Sequence, residues 1–238
     1  MATFQAQVEG LTGLSIDGSS TPTQNELSQF LKDGVIDVTK KCIDMNPAEV
    51  HNFLTVSSDQ TANGSLDLNG ARIVSVVREA GTSDDWRNCK QIHPSLQSRV
   101  TDTDSLHFAS KFNPVFTVLD NGKISVFPAP DSDPDQFKVY YVNNVPKDKS
   151  GAALVYSHSE IQKFVDDKVY LVVIYAAIKC LEAKMAEYAI TEEDEELVTA
   201  ISSNIIALHN QYLGAFTPGQ QQQQLARQRQ AQGAADES

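Results

Sequence analysis

The stretch VYLVVIYAAI, residues 169–178, decides the architecture expected for this chain, because its residues are apolar almost without a break. A helix that has no polar face over about three turns must be covered on several sides by other elements. Asp166, Asp167 and Lys168 precede the run, and Lys179 follows it. Because a membrane-spanning helix needs about 20 apolar residues, the stretch predicts a buried core helix rather than a membrane span.

A second helix is predicted directly after the first. Thr191 is a good N-cap, and the acidic residues 192–194 (EED) would meet the positive end of the helix dipole. With only Ile190 and Thr191 between the two helices, we expect an antiparallel αα-hairpin. Gly214 fits a C-terminal stop.

Apolar residues recur at steps of three or four along both helices, as expected for faces that meet in a core. The stripe of the second helix is Leu197, Ile201, Ile205, Leu208 and Tyr212. The residues that we expect to pack the core are Leu171, Ile174, Ile178, Leu181, Ile201 and Ile205.

Two more helices are predicted before residue 50. Residues 4–11 space three apolar side chains for one face of a short helix. Thr23 and Glu26 form a capping-box pattern ahead of an apolar repeat, which predicts a longer helix to about Asp44. Gly34 weakens that helix by about 1 kcal/mol relative to alanine, but it lies where a neighbouring helix can approach closely.

From about His51 the apolar period changes to two and β-branched residues become frequent, which predicts a β-rich insertion that ends near Pro146. The expected strands are residues 53–57, 72–78, 115–119, 123–127 and 137–142. Asn121 and Gly122 lie between two of them, and Asn-Gly is the strongest short signal for a β-hairpin. One short helix, capped by Asp104 or Ser105, is expected between residues 101 and 111.

The predicted fold class is therefore α+β. A helical core is expected from residues 1–50 packed with the αα-hairpin of 147–216, interrupted by the β-rich insertion of 51–146.

Residues 217–238 have a different composition, with a glutamine run followed by Arg227 and Arg229. Such a segment cannot bury enough apolar surface to order itself alone, so it is either a spacer or a docking arm. The two arginines could meet an acidic partner or keep the tail soluble.

Composition limits the classes of function. The chain has 238 residues, 41% of them hydrophobic, which is enough for a substantial core. Its net charge of -12 argues against a surface that grips nucleic acid by neutralising phosphates, although it does not exclude a surface that DNA passes. The three cysteines are far apart and no signal peptide opens the sequence. We expect an intracellular protein with reduced thiols.

Residues with metal-binding or acid–base chemistry are present but do not form a recognisable pattern. His51, His93, His107, His158 and His209 are scattered, without the short spacing of metal ligands. Asp131, Asp133 and Asp135 resemble the start of a calcium loop, but Gln136 and Val142 occupy its glycine and glutamate positions, so a polar turn is predicted. Asp102 and Asp104 fit either an acid–base pair or a helix cap.

Enzyme signatures are also missing from the sequence. It contains no nucleophile elbow, no phosphate-binding loop and no dinucleotide fingerprint. We therefore predict a protein that is not an enzyme, with no catalytic residues, no metal site and no cofactor.

Three segments resemble the head-to-tail adaptor (connector or neck) proteins of tailed bacteriophages. They are LTGLSIDGSSTPTQNELSQFLKDGVIDVTKK at 11–41, NPVFTVLDNGKISVFPAP at 113–130 and YLVVIYAAIKCLEAKMAEYAITEEDEELV at 170–198. The resemblance implies a helical core interrupted by a β-rich insertion, assembled as a twelve-subunit ring between portal and tail. It implies a virion location after assembly in the host cytoplasm, without a membrane.

The partners implied by this resemblance are the portal protein, a tail or nozzle protein, and the genomic DNA that passes through the channel. An acidic protein suits a DNA channel, because a wall that repels phosphate does not trap the genome. The resemblance also implies a C-terminal arm that reaches towards the portal. The candidate residues of this portal-docking arm are Gln221, Gln222, Leu225, Arg227 and Arg229.

Two other classes of protein remain as alternatives. Another neck or tail structural protein, such as a tail-terminator, tube or decoration subunit, would assemble with six-fold or three-fold symmetry or stay monomeric. A soluble enzyme directed at the host would use aspartates of the β-rich region and would need a concave pocket with perturbed carboxylates.

Overall fold

A computed structural model describes residues 2–68, 70–120, 122–143, 145–191 and 195–216. It has a mixed α+β structure, which confirms the predicted class. The described chain divides into two compact units. The helical unit comprises Met1–Glu49 and the chain from Pro146 onwards, and the β unit comprises Val50–Val145.

The helices and strands follow one another along the described residues in a mixed order. The helices are α1 (Phe4–Thr12), α2 (Gln24–Met45), α3 (Gln97–Thr101), α4 (Val169–Thr191) and α5 (Glu195–Ala215). The strands are β1 (Leu54–Val56), β2 (Arg72–Glu79), β3 (Trp86–Asn88), β4 (Lys90–Gln91), β5 (Val115–Leu119), β6 (Lys123–Phe127) and β7 (Phe137–Val142).

The first helix, α1, forms where its apolar spacing predicts. The Thr3 side chain caps its first turn, and Gly13 ends it with a left-handed φ of 72°. Phe4 and Val8 are buried, whereas Leu11 is 42% exposed. The predicted apolar face is therefore wrong at its third position, because the helix ends one residue later and Leu11 lies at its exposed end.

The second helix, α2, begins with the predicted capping box. The Thr23 hydroxyl accepts a hydrogen bond from the Glu26 N–H at 3.3 Å, and the Glu26 carboxylate accepts one from the Thr23 N–H at 2.7 Å. Gly34 faces α4, where an added Cβ would lie 3.1 Å from the ring of Tyr175 and 3.3 Å from Val172. The close helix approach predicted at this glycine is confirmed.

The apolar helix α4 packs against α1, α2 and α5. Its predicted core residues Leu171, Ile174, Ile178 and Leu181 are each no more than 3% exposed. This burial confirms that the apolar run is covered on several sides. On α5, Leu208 and Tyr212 are buried, while Ile201 and Ile205 are only half-buried.

The junction between α4 and α5 differs from the sequence prediction. Thr191 is the last residue of α4, so its assignment as the N-cap of the next helix is wrong. No glycine or proline interrupts the chain before it, and the helix continues through Ile190. The next residues, 192–194, lie outside the described part of the chain, and α5 begins at Glu195.

The end of α5 also differs from the prediction, because the helix passes Gly214 and ends at Ala215. The ring of Tyr175, near the start of α4, lies 6.0 Å from that of Tyr212, near the end of α5. The two helices therefore run antiparallel.

The β unit contains two sheets among its described residues, in the orders β1-β7-β2-β3 and β4-β5-β6. All strand pairs are antiparallel except β4 and β5. Leu54 lies opposite Val142, so the first and last strands of the unit pair and its two ends lie side by side. All five predicted strands form. The prediction missed β3 and β4, which are short, rich in polar residues and carry no apolar alternation.

The predicted hairpin between β5 and β6 is confirmed. Leu119 pairs with Lys123 in an antiparallel register. Asp120 and Gly122 have φ values of 42° and 123°, which a tight turn requires. Asn121 lies outside the described residues.

The core of the β unit draws side chains from both sheets, including Val76, Phe116, Ile124, Val126, Phe137 and Val139. Arg78 is buried at its edge and donates to the carbonyls of Pro128 at 2.9 Å and Ala129 at 3.2 Å. Its guanidinium also pairs with Asp135 at 3.0 Å. A buried arginine thus holds the proline-rich turn that precedes β7.

Candidate interaction site

A surface loop of the β unit, residues 102–113, follows α3 as a series of turns, and we call it the apolar loop. The helix predicted here from the sequence does not form. The nearest helix, α3, ends at Thr101, and turns follow it. The Asp102 carboxylate accepts a hydrogen bond from the Asp104 N–H at 3.0 Å, and the Ser105 hydroxyl accepts one from the His107 N–H at 3.1 Å. Short polar side chains satisfy the backbone locally and so favour turns over a helix.

Three large apolar side chains of this loop are exposed to solvent. Leu106 is fully exposed, Phe112 is 65% exposed and Phe108 is 40% exposed. The ammonium group of Lys111 lies 5.2 Å from the ring centroid of Phe112. Single exposed apolar side chains are ordinary, but three on one short loop make this loop a candidate interaction site.

The apolar loop is anchored to the body of the β unit. The N–H of Ala109 donates to the carbonyl of Val100 at 2.9 Å. Ala109, Val100 and Val115 form a small buried core, against which Ile92 and Phe127 pack. The exposed side chains are therefore presented on a loop that is already ordered, which lowers the entropy cost of binding.

A cavity of about 430 Å³ lies beside the loop, and we call it the loop cavity. Val100, Leu106 and Phe108 contribute to its apolar walls. Its polar and ionisable lining consists of Lys90, Gln91, His93, His107 and Asn113, with no carboxylate among the residues that line it. The cavity thus combines apolar walls with nitrogen-bearing side chains.

His93 is positioned by the short 3₁₀ turn that it caps, Pro94–Leu96. Its Nδ1 accepts a hydrogen bond from the Ser95 N–H at 3.3 Å. The Ser95 hydroxyl also lies 2.8 Å from Nδ1, so Nε2 is the ring nitrogen left for other partners. Together with the Lys90 ammonium group, the loop cavity suits a carboxylate that lies beside an apolar side chain.

A second cavity of about 230 Å³ lies in the helical unit and is lined by Asp148, Lys149, Ser157, His158, Ser159 and Glu160. His158 Nε2 lies 3.9 Å from the Asp148 carboxylate, and His158 Nδ1 accepts from the Val155 N–H at 3.3 Å. Hydrogen bonds from Ser150 hold the pKa of Asp148 below its usual value. The Ser150 hydroxyl donates to Asp148 rather than to the imidazole, so this arrangement is not a nucleophile–base pair.

The segment around His158 has a clear structural role at the start of α1. The carbonyl of His158 accepts from the Phe4 N–H at 2.7 Å, and the carbonyl of Tyr156 accepts from the Gln5 N–H at 3.0 Å. These carbonyls satisfy N–H groups that the first turn of a helix leaves unpaired.

The end of α5 is fixed by a polar and aromatic cluster. The Tyr212 hydroxyl donates to the Asp37 carboxylate, and Lys41 pairs with the same carboxylate at 2.7 Å. The ring centroids of Tyr212 and Phe216 are 5.2 Å apart, nearly at right angles. Burial, together with the hydrogen bond to Asp37, raises the pKa of Tyr212. This cluster holds Phe216, the last described residue of the chain.

The site residues predicted from the sequence fall into two groups. The proposed arm residues Gln221, Gln222, Leu225, Arg227 and Arg229 lie outside the described residues. The core residues Leu171, Ile174, Ile178 and Leu181 are buried on α4, and Ile201 and Ile205 lie half-buried on α5.

The aspartates that resemble the start of a calcium loop stabilise a turn. Asp135 pairs with Arg78, Asp133 accepts from the Ser83 hydroxyl at 2.9 Å, and Asp131 accepts from the Ser132 N–H at 2.8 Å. Among the described residues, no group of three or more His, Cys, Asp or Glu side chains is arranged to hold a metal ion.

All three cysteines are free and buried. Burial raises the pKa of Cys89 and of Cys180 to about 12 in each case, so these two thiols stay protonated near neutral pH. Burial also raises the pKa of Cys42. None of the three is placed to act as a reactive thiolate.

Neither the loop cavity nor the exposed side chains next to it were predicted from the sequence. Lys90 and His93 are close in sequence, and the fold brings His107 of the apolar loop to the same cavity. A signal was present in Leu106, Phe108 and Phe112, which lie among turn-forming residues rather than in a periodic apolar segment. Assigning that segment to a helix hid this signal.

Comparisons of the chain with protein-family models and with curated proteins find no match. No helix within the described ranges is both long enough and apolar enough to cross a membrane.

Proposed function

We propose that the protein is a structural component of a phage virion, a head-to-tail adaptor that forms a ring between the portal and the tail. In this proposal, a helical core interrupted by the β unit builds the ring, and residues after Phe216 form the arm that docks on the portal. The proposed complement is twelve subunits around a channel for the genomic DNA.

The observation that carries the proposal is the exposed apolar loop. Leu106 and Phe112 lie largely in water on an ordered loop, as expected for a subunit whose surface is covered on assembly. The helical unit also exposes Ile190 at 81% and Ile206 at 58%. Exposed apolar side chains on each of the two units suit a subunit whose surfaces are covered on assembly.

The negative net charge supports a role beside DNA that does not involve tight binding to its phosphates. The net charge of -12 gives a channel wall that repels phosphate on average, so that DNA can move through it. Arg227 and Arg229, in the tail, supply positive charge for contacts with a protein partner.

The arm would begin at a fixed point. Phe216 packs against Tyr212, which is hydrogen-bonded to Asp37 on α2. A segment tethered to a rigid base searches a smaller volume for its docking site than one tethered to a loose end.

The test is the assembly state of the purified full-length chain alone and with a portal, measured by light scattering after size exclusion and by electron microscopy. We expect closed rings, with twelve-fold symmetry when the portal is present. Six-fold or three-fold rings that do not bind the portal would contradict this proposal and indicate a tail-tube or tail-terminator subunit. A monomer under both conditions would show that the chain is not an adaptor.

A further inference from the structure

We propose that the loop cavity binds an acidic, apolar segment of a second copy of this chain, so that each subunit joins its neighbour through the apolar loop. The inference rests on the proposed function and deepens it, because it names the surface through which subunits associate.

The apolar half of the contact follows from the exposure of the loop. Leu106 is fully exposed and Phe112 is 65% exposed, and neither belongs to the small core that anchors the loop. Covering such side chains removes apolar surface from water, which is the main driving force of association. Aromatic side chains are also prominent among the residues that dominate binding energy.

The polar half of the contact follows from the lining of the cavity. Lys90 and the imidazoles of His93 and His107 are its ionisable groups, and no carboxylate lines it. Within the described chain, Lys90 has no carboxylate partner of its own. The complementary group is therefore a carboxylate on the occupant.

A second copy of the chain supplies such groups in excess. The sequence has 31 Asp and Glu residues against 19 Lys and Arg residues. Its surface is thus rich in the group that the loop cavity lacks. Because the cavity is not complementary to itself, two cavities cannot face each other, and the contact must join different surfaces of the two copies. When only one of the two cavities in a pair is filled by the other copy, the contact is heterologous and closes into a ring if its rotation fits.

Nucleic acid is also negatively charged but suits the cavity less well. Binding a phosphate backbone takes several lysines or arginines along a strip. The loop cavity offers one lysine, and Val100, Leu106 and Phe108 form apolar walls that phosphates would not fill.

The test compares the dissociation constant between subunits for full-length variants, measured by sedimentation velocity. Leu106→Ser, Phe112→Ser and Lys90→Glu should each raise it by about tenfold or more. The matched control is Val56→Ser, which removes an apolar side chain that is 45% exposed on the same unit and does not line the cavity. The control should change the constant by less than about twofold. All four positions are exposed, so melting temperatures should stay close to that of the wild type.

A photocrosslinking amino acid at position 106 identifies the occupant directly. We expect covalent dimers whose crosslinked peptide carries Asp or Glu beside an apolar residue. Crosslinks to an added oligonucleotide, or to the portal alone, would overturn the inference. Rings that persist unchanged in the Leu106→Ser, Phe112→Ser and Lys90→Glu variants would overturn it too, while leaving the adaptor role intact. A wild-type chain that stays monomeric with and without a portal would instead refute the adaptor role itself.

Discussion

The hydroxyl of Tyr212 donates a hydrogen bond to the carboxylate of Asp37, which joins the end of α5 to the middle of α2 across 175 positions of sequence. Lys41 pairs with the same carboxylate and lies 4.6 Å from the ring centroid of Tyr212. The three side chains thus fix the last described turn of the chain to the helical unit.

Replacing Tyr212 with phenylalanine should lower the free energy of unfolding by about 1 to 2 kcal/mol, because a partly buried hydrogen bond to a charged group is lost. Urea denaturation followed by circular dichroism measures this change. Tyr170→Phe is the control, since Tyr170 lies on α4 with 49% of its surface exposed. Removing its hydroxyl group should leave the free energy of unfolding almost unchanged.

The same tyrosine predicts a dependence of stability on alkaline pH. Burial raises the folded-state pKa of Tyr212 above the ordinary value of about 10. Above that pH the unfolded chain loses the proton while the folded chain keeps it, so folding becomes less favourable as pH rises. The stability gap between wild type and Tyr212→Phe should therefore narrow from pH 8 to pH 10.5. A gap that stays constant over this range would contradict the assignment.

Ile174→Asp should abolish soluble folding. Ile174 is 3% exposed on α4, and an unpaired carboxylate there costs several kcal/mol against a total stability of about 5 to 15 kcal/mol. Tyr170→Asp, near the start of the same helix, places the same charge at an exposed position and should stay soluble. Expression yield and thermal melting measure the difference. A soluble Ile174→Asp variant with the wild-type melting temperature would mean that α4 is not central to the fold.

Two glycines within helices should respond to alanine in opposite directions. Gly10→Ala on α1 meets nothing within 4 Å and should stabilise the protein by about 0.5 to 1 kcal/mol through helix propensity. Gly34→Ala gains the same propensity but places its Cβ 3.3 Å from the backbone oxygen of Val172, which cannot move freely. We expect the crowding to cancel or reverse the gain. Chemical denaturation of both variants tests this, and equal stabilisation would show that α4 can shift away from Gly34.

Excision of the β unit should leave a folded helical unit. Leu54 pairs with Val142, so the two ends of the β unit lie together and a short glycine and serine linker can replace Val50–Val145. Circular dichroism should show a cooperative helical melt. A random-coil spectrum would mean that the two units do not fold independently.

Truncation before Gly219 should leave thermal stability nearly unchanged, because the tail has too little apolar surface to contribute to a core. The truncated chain should bind a portal more weakly than the full chain, as measured by surface plasmon resonance. Equal affinity would make the tail a spacer and assign docking to the rest of the subunit.

The regular elements could be predicted because their signals are local. The capping box of Thr23 and Glu26 marks the start of α2, and the alternation of polar and apolar residues from Lys123 to Val126 marks β6. Helix ends were less predictable: α4 runs through Thr191 and α5 through Gly214, since a single capping residue changes stability by only about 1 kcal/mol. The strands β3 and β4 escaped prediction because pairing with a neighbour, rather than their own composition, makes them strands.

The sequence by itself determined that the apolar run of α4 is covered on several sides, because a run of apolar residues without a polar face has only one favourable environment in water. It also determined the mixed α+β class, through the change of apolar period near His51. Only the tertiary structure decided that Lys90, His93 and His107 line one cavity, that Leu106 faces solvent, and that Tyr212 meets Asp37. These relationships join residues through space, and the free energy that selects them comes from packing the whole unit rather than from any local pattern.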